Sequence, residues 1–345
     1  MPTRKGKTAA IVSACIVGAV VLYFVGGFIA ERAVYRAVFE HRGSASSTLL
    51  KLENRIYKQK EDYPALSKWE LHYFVSGENT LTGYLYSGGA KGVVLCAHGF
   101  SSQSGGPESA YEDYFVRQGY DVFAVDLTAS GVSEGSSLVD LSQSAKDVAA
   151  AYQYLDAGNL LHGQVVFAGY SWGGYGVAQS LALGARPDKV ITFSAYDQPY
   201  ETMIASAVEK VGGVAYLTIP AFAWSIRTFE GEEAFYRASD TLAEYRVPTL
   251  IAHGENDVRI PLKDVSLYSR ASGDFVTKYL SEATHLTPWF SKDARDYVET
   301  QILPRMQNVN RDSKEDVQAF LSTVDIEKSS ELDPELFAAI QTFLG

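Results

Sequence analysis

The chain has 345 residues, 46% hydrophobic and 12% aromatic, enough for one large core with appendages or for two small domains. Its formal net charge of −11 and its lack of a basic cluster argue against a nucleic-acid partner, which needs a positive surface. Two cysteines imply no disulfide framework, since Cys15 falls in an apolar run and Cys96 in a predicted core strand.

The first element is a long apolar run. From Ala9 to Ala30 there is no charged side chain across 22 positions. As a helix it measures about 33 Å, against about 30 Å for a bilayer core. Arg4, Lys5 and Lys7 precede it, and Tyr23, Phe24 and Phe28 lie toward its far end. A cleaved signal peptide is the competing reading. Phe28 spoils the small-x-small pattern before Ala30, and the run exceeds a usual signal core. Val12-Ser13-Ala14-Cys15 resembles a lipoprotein cleavage box, yet too few apolar residues precede it. Residues 1–30 are therefore expected to be a cytoplasmic tail and an uncleaved single-pass membrane anchor. The tail is basic and free of acids, whereas Glu31, Arg32, Arg36, Glu40 and Arg42 beyond the span are mixed. The positive-inside rule then places the remainder on the extracytoplasmic side.

Residues 31–67 are polar with scattered apolar positions, among them Val34, Tyr35, Val38, Phe39, Leu49, Leu50, Leu52 and Ile56, and suit a helical stalk or packing arm. From there strands and helices alternate. Leu71–Val75 and Leu81–Tyr86 flank a Gly77-Glu78-Asn79 turn, as an antiparallel hairpin would. Strands are predicted over Gly92–Ala97, Asp121–Val125, Gln164–Ala168, Lys189–Phe193, Thr249–Ala252 and Phe275–Leu280. Helices are predicted over Ser109–Gln118, Leu141–Asp156, Tyr175–Leu183 and Lys292–Met306. This alternation implies an α/β class with a mostly parallel central sheet, an antiparallel leading hairpin and helices on both faces, built from residues 68–306. In such sheets ligands bind beyond the carboxyl ends of the strands.

A segment at about 197–246 breaks the pattern. Its aromatics, Tyr200, Tyr216, Phe222, Trp224, Phe229, Phe235 and Tyr236, suit a helical lid over the strand ends or simple packing onto the body. Residues 307–345 form an acidic helical extension. In its last helix Asp333 is a candidate N-cap and Pro334 the first helical residue, with Leu336, Phe337, Ile340, Phe343 and Leu344 as an apolar stripe.

Gly169-Tyr170-Ser171-Trp172-Gly173 joins a buried strand to a helix. Only glycine at both flanks allows so tight a turn, which thrusts the serine hydroxyl clear of the sheet. A hydroxyl is a weak nucleophile, so it needs a base, and the base needs a carboxylate to orient it. Asp257, past one strand, and His285, past the last, follow Ser171 in the expected order. Asp197, Glu255 and Asp264 are rival acids, with Asp197 the reserve. His41, His72 and His162 lie away from the carboxyl strand ends, while His98 and His253 precede turn glycines and read as structural. The backbone N–H of Trp172 is one candidate oxyanion donor, and that of Phe100 in His98-Gly99-Phe100-Ser101-Ser102 is the second.

From about Trp69 to Met306 the chain resembles the α/β-hydrolases of the serine esterase/lipase type. The resemblance rests on His98-Gly99-Phe100, the elbow, Gly254-Glu255-Asn256-Asp257 and His285. It also rests on Asp126-Leu127-Thr128-Ala129-Ser130-Gly131-Val132-Ser133, where Thr128 and Ala129 replace the usual Arg and Gly. The resemblance implies acyl transfer from an ester, possessing no metal or organic cofactor, with a small-molecule or lipid-like ester as substrate. A peptidase or amidase of the same fold, or a catalytically silent binding protein, are the alternatives.

Overall fold

The computed structural model describes residues 4–43, 52–100, 102–229 and 231–345. Leu49 and Leu50 of the arm, Ser101 and the first three residues of the tail lie outside them.

Helix α1 runs over Arg4–Val38. It does not stop at Ala30, where the uncharged run ends. Nothing in Glu31-Arg32-Ala33-Val34 breaks a helix, and charge marks where a chain leaves an apolar medium rather than where its backbone bonding ends. By length and composition Ile11–Val38 could cross a membrane, and its most apolar window is wholly unburied by protein.

Among the described residues, eight strands form one sheet in the order β1-β2-β4-β3-β5-β6-β7-β8. They are β1 Glu70–Ser76, β2 Asn79–Tyr86, β3 Gly92–Ala97, β4 Tyr120–Asp126, β5 Gln164–Tyr170, β6 Lys189–Phe193, β7 Thr249–Gly254 and β8 Val276–Ser281. The pairs β1/β2 and β2/β4 are antiparallel and the rest parallel. Every residue of β3 is buried, because both of its faces are covered. Val94 and Cys96 face one core, shared with Tyr111 and Phe115 of α2 (Ser109–Arg117), Trp289 and Ile340. Val93, Leu95 and Ala97 face the other, shared with Val148 of α3 (Gln143–Ala157) and Val177 of α4 (Trp172–Gln179). That two-residue alternation splits the interior into two cores.

Register sets the position of the site. Ala97 at the end of β3 pairs with Gly169 near the end of β5, and Phe193 of β6 pairs with Ala252 of β7. The loops after these strands therefore gather at one sheet edge.

Between β6 and β7 stands a helical insertion. It holds α5 (Pro199–Val211), a 3-10 turn at Gly212–Thr218, α6 (Ile219–Phe229) and α7 (Ala238–Tyr245). Helix α6 lies along α1. The region predicted as one helix from Lys292 to Met306 holds a π turn at Val298–Ile302, just where Pro304 withholds the N–H that Thr300 would receive. The C-terminal extension ends in the helix Pro334–Leu344. Asp333 caps it, accepting from the N–H groups of Glu335 at 3.0 Å and Leu336 at 3.3 Å.

Candidate active site

Ser171 stands at the turn from β5 into α4 with φ 52° and ψ −110°, a conformation that few non-glycine residues adopt. The surroundings hold it there. Ser171 N–H donates to the Phe193 carbonyl at 2.8 Å, and Gly173 N–H to the His98 carbonyl at 3.0 Å. The flanking glycines are sterically required. A Cβ on Gly169 would meet the Gly173 oxygen at 2.4 Å, and one on Gly173 would meet the Ala97 oxygen at 2.2 Å.

His285 Nε2 lies 3.0 Å from Ser171 Oγ, and its Nδ1 lies 2.8 Å from Asp257 Oδ2. A carboxylate only accepts, so Nδ1 carries the proton and Nε2 is left free to take one from the hydroxyl. Asp257 is itself fixed. Its Oδ1 accepts from Arg259 N–H at 3.0 Å and Ile260 N–H at 2.8 Å. All three side chains are nearly buried, Ser171 being 7% exposed, and this strengthens their mutual electrostatics. The arrangement can carry a proton from hydroxyl to imidazole while holding the imidazole in one tautomer.

The rival residues are otherwise engaged. Asp197 accepts from Arg237 at 2.9 Å and from Ser239 N–H at 2.8 Å, so it ties the end of β6 to α7. Glu255 and Asp264 are exposed. His72 bonds the Tyr154 hydroxyl at 2.9 Å, His162 bonds Asp121 at 3.0 Å, and His41 is exposed. His253 bonds the Ile260 carbonyl at 2.9 Å, bracing the loop that carries Asp257. His98 accepts from Leu127 N–H at 3.1 Å on Nε2, so its Nδ1 donates to the Gly99 carbonyl at 2.8 Å. Burial lowers its pKa to about 4, which keeps that ring neutral.

The two candidate oxyanion donors come from neighbouring backbones. Trp172 opens α4, so its N–H belongs to the first turn that no intrahelical carbonyl can satisfy, at the positive end of the helix dipole. Phe100 follows β3, and its ring meets that of Trp172 edge-on at 5.5 Å. The Gly173–His98 bond joins the two segments directly.

Three aromatics pack around the site in places that the sequence did not indicate. Tyr170 packs on the His285 ring at 5.2 Å, and Trp289 meets Tyr170 edge-on at 5.0 Å. Phe39, just past α1, meets Phe100 edge-on at 5.7 Å. The segment after α1 is firmly docked. The Phe39 carbonyl accepts from Leu138 N–H at 3.0 Å, and Arg42 donates to the carbonyls of Gly131 at 3.1 Å and Ser133 at 2.7 Å. Those carbonyls belong to the loop after β4. There Asp126 accepts from Ser104 N–H at 2.8 Å and Val132 N–H at 3.0 Å, while Thr128 bonds Asp147 through its N–H at 2.7 Å. Among the described residues, no group of three or more His, Cys, Asp or Glu could hold a metal ion.

A family model described as serine aminopeptidase, S33, matches residues 88–226. No curated protein sequence matches the chain. Among solved structures, an esterase of Pyrococcus furiosus, Pf2001, is 16% identical with a TM-score of 0.49, over 80% of this chain and 95% of that one. The acylaminoacyl peptidase of Pyrococcus horikoshii is 14% identical with a TM-score of 0.48, over 70% of this chain and 39% of that one. Est1E of Butyrivibrio proteoclasticus, solved with ferulic acid bound, is 16% identical with a TM-score of 0.46, over 68% and 98%. Strand order, the sharp serine turn after β5 and the family match identify the α/β-hydrolase fold.

Proposed function

We propose that the protein is a membrane-anchored serine hydrolase that cleaves carboxylic esters through an acyl-enzyme. The observation that carries this reading is the unbroken line Ser171 Oγ, His285 Nε2, His285 Nδ1 and Asp257 Oδ2, joined at 3.0 and 2.8 Å.

Ser171 Oγ attacks the carbonyl carbon as His285 Nε2 takes its proton, and Asp257 stabilises the imidazolium without being protonated. The carbonyl oxygen becomes an alkoxide, held by the N–H groups of Trp172 and Phe100, each worth about 3 kcal/mol in the transition state. The tetrahedral adduct collapses, the C–O bond breaks, and the leaving alkoxide takes the proton from Nε2. Water then gives a proton to His285 Nε2 and attacks the acyl carbon; the bond from that carbon to Ser171 Oγ breaks, Oγ takes the proton from Nε2, and the carboxylic acid leaves. Aromatic side chains on the insertion and the apolar helix favour an ester of lipid-like character. Amide cleavage is the second reading, favoured by the aminopeptidase description of the matching family.

The anchor reading rests on α1, whose apolar residues from Ile11 to Val25 are almost all exposed. The basic tail is taken as cytoplasmic and the hydrolase body as extracytoplasmic. Protease added to intact cells is expected to digest the body and spare the tail. Digestion only after lysis would reverse the topology.

A fluorophosphonate probe is expected to label the wild-type chain and not Ser171→Ala. Ester turnover by that variant should fall by about 10³-fold or more. Wild-type labelling in the variant would remove Ser171 from the mechanism, and an unlabelled wild type would leave a binding protein. Faster turnover of aminoacyl anilides than of p-nitrophenyl esters would move the assignment to the peptidases.

A further inference from the structure

We propose that the tip of the insertion, residues 212–229, is embedded in the same membrane leaflet as the outer end of α1, with lipid acyl chains covering its free face. The inference rests on the anchor reading given above.

The first support is composition. Val211–Ile226 spans 16 positions without a charged side chain, closed by Glu209 and Lys210 on one side and Arg227 on the other. In the fold four of its large apolar groups point outward, while Ile226 is buried. Leu217 is 72% exposed, Val214 65%, Tyr216 59% and Trp224 46%, and Phe229 just beyond is 53% exposed. Contiguous apolar surface of this kind marks contact with protein or membrane.

The second support is continuity with α1, which itself has exposed apolar residues along the same stretch. The Tyr23 hydroxyl donates to the Leu217 carbonyl at 2.7 Å. The ring of Phe24 meets Trp224 edge-on at 5.7 Å, and Phe28 lies 4.9 Å from Phe229. Gly27 lets the two backbones approach so closely that a Cβ there would meet the Ala221 Cβ at 2.2 Å. Small residues at such a contact are the usual seam between helices in lipid. At the outer end the Ser225 hydroxyl donates to Glu31 at 2.6 Å, which satisfies the acidic side chain nearest the apolar run.

Depth decides the matter. Tyr23 precedes Ala30 by seven residues, which is about 10 Å along a helix. With Ala30 at the boundary, Leu217 sits about 10 Å inside it, close to the 5–10 Å that interfacial segments commonly reach. The backbone suits that medium. Residues 212–229 form a 3-10 turn followed by a helix, so most amide groups are bonded within the segment.

Full-length protein in phosphatidylcholine vesicles carrying acyl-chain doxyl quenchers tests this. Of the four tryptophans, Trp172 and Trp289 are buried and Trp69 lies at the start of the body, so Trp224→Phe isolates the tip. The expected result is loss of the Trp224-dependent emission in doxyl vesicles, with no corresponding loss in the variant. Equal quenching of wild type and variant overturns the proposal, whether water or a second copy of the chain covers the face. Two companion readouts keep the premises separate. Alkaline extraction of the vesicles reports whether α1 is anchored, and fluorophosphonate labelling reports whether the hydrolase reading holds. An unquenched Trp224 in a labelled, extraction-resistant protein removes the embedded tip alone.

Discussion

Two helical elements carry apolar stripes away from the central sheet, and they treat those stripes in opposite ways. The C-terminal helix buries Leu336, Phe337, Ile340 and Leu344 against the core that also holds Tyr114 and Trp289. The insertion tip turns Val214, Tyr216, Leu217 and Trp224 outward, beside a helix that does the same. In the first case protein atoms replace water around each side chain. In the second only one flank has a protein neighbour. The lesson is that an apolar stripe reports a need for a non-aqueous partner, and only the fold says whether the chain supplies it.

The strongest way to break that comparison is to truncate both stripes. Ile340→Ala is expected to cost about 2–5 kcal/mol of unfolding free energy, as large-to-small core changes do. Denaturant titration of detergent-solubilised protein measures it. A cost under about 0.5 kcal/mol, the range of surface substitutions, would mean that the C-terminal helix is an ornament rather than core.

Buried carboxyls sharpen the contrast. At the seam between α1 and α6, Glu31 is 2% exposed and accepts from Ser225. In the body, Glu112 is equally enclosed, and burial followed by the nearby Glu108 charge pushes its pKa to about 8. A folded pKa above the unfolded value means that the native state binds the extra proton. Stability tied to Glu112 is therefore full below about pH 4.5, falls as pH rises, and is gone above about pH 8. Glu112→Gln should match wild type in unfolding free energy at low pH and exceed it in alkali, the gap widening by up to about 1.4 kcal/mol per pH unit between about 4.5 and 8. A gap that does not change with pH would show that this carboxyl keeps its charge when folded.

The smallest effect is expected at the tip. Leu217→Ala should change unfolding free energy by less than about 0.5 kcal/mol in detergent. A loss as large as that of Ile340→Ala would place Leu217 in a protein interior and erase the distinction.

Much of the body could be read in the residues. Strands β3 and β6 run over Gly92–Ala97 and Lys189–Phe193, the expected limits, because each is an apolar run closed by turn-forming residues. The elbow glycines, together with carboxylate and imidazole groups placed just past strands, brought Ser171, Asp257 and His285 forward as one set, and the fold puts them within hydrogen-bond reach of each other. Other features gave no local signal. Tyr170, Trp289 and Phe39 look locally like any core aromatic. The seam between α1 and the insertion joins residues 194 apart in sequence, as Tyr23 and Leu217 are, and no periodicity reports a pairing of that kind. The overrun of α1 to Val38 agrees with a helical stalk after residue 30, because the charged residues at 31, 32 and 36 are good helix formers.

That overrun makes α1 a ruler with a fixed phase. Nine residues separate Ala30 from Phe39, about 13 Å of rigid rise, and Phe39 rests on the ring of Phe100 beside the serine turn. Each residue inserted or removed between them would raise or lower the serine turn by about 1.5 Å and swing it by about 100°. Under the anchor proposed above, height over the leaflet and orientation toward it are thus written into one count of residues, a quantity that evolution can only change in steps.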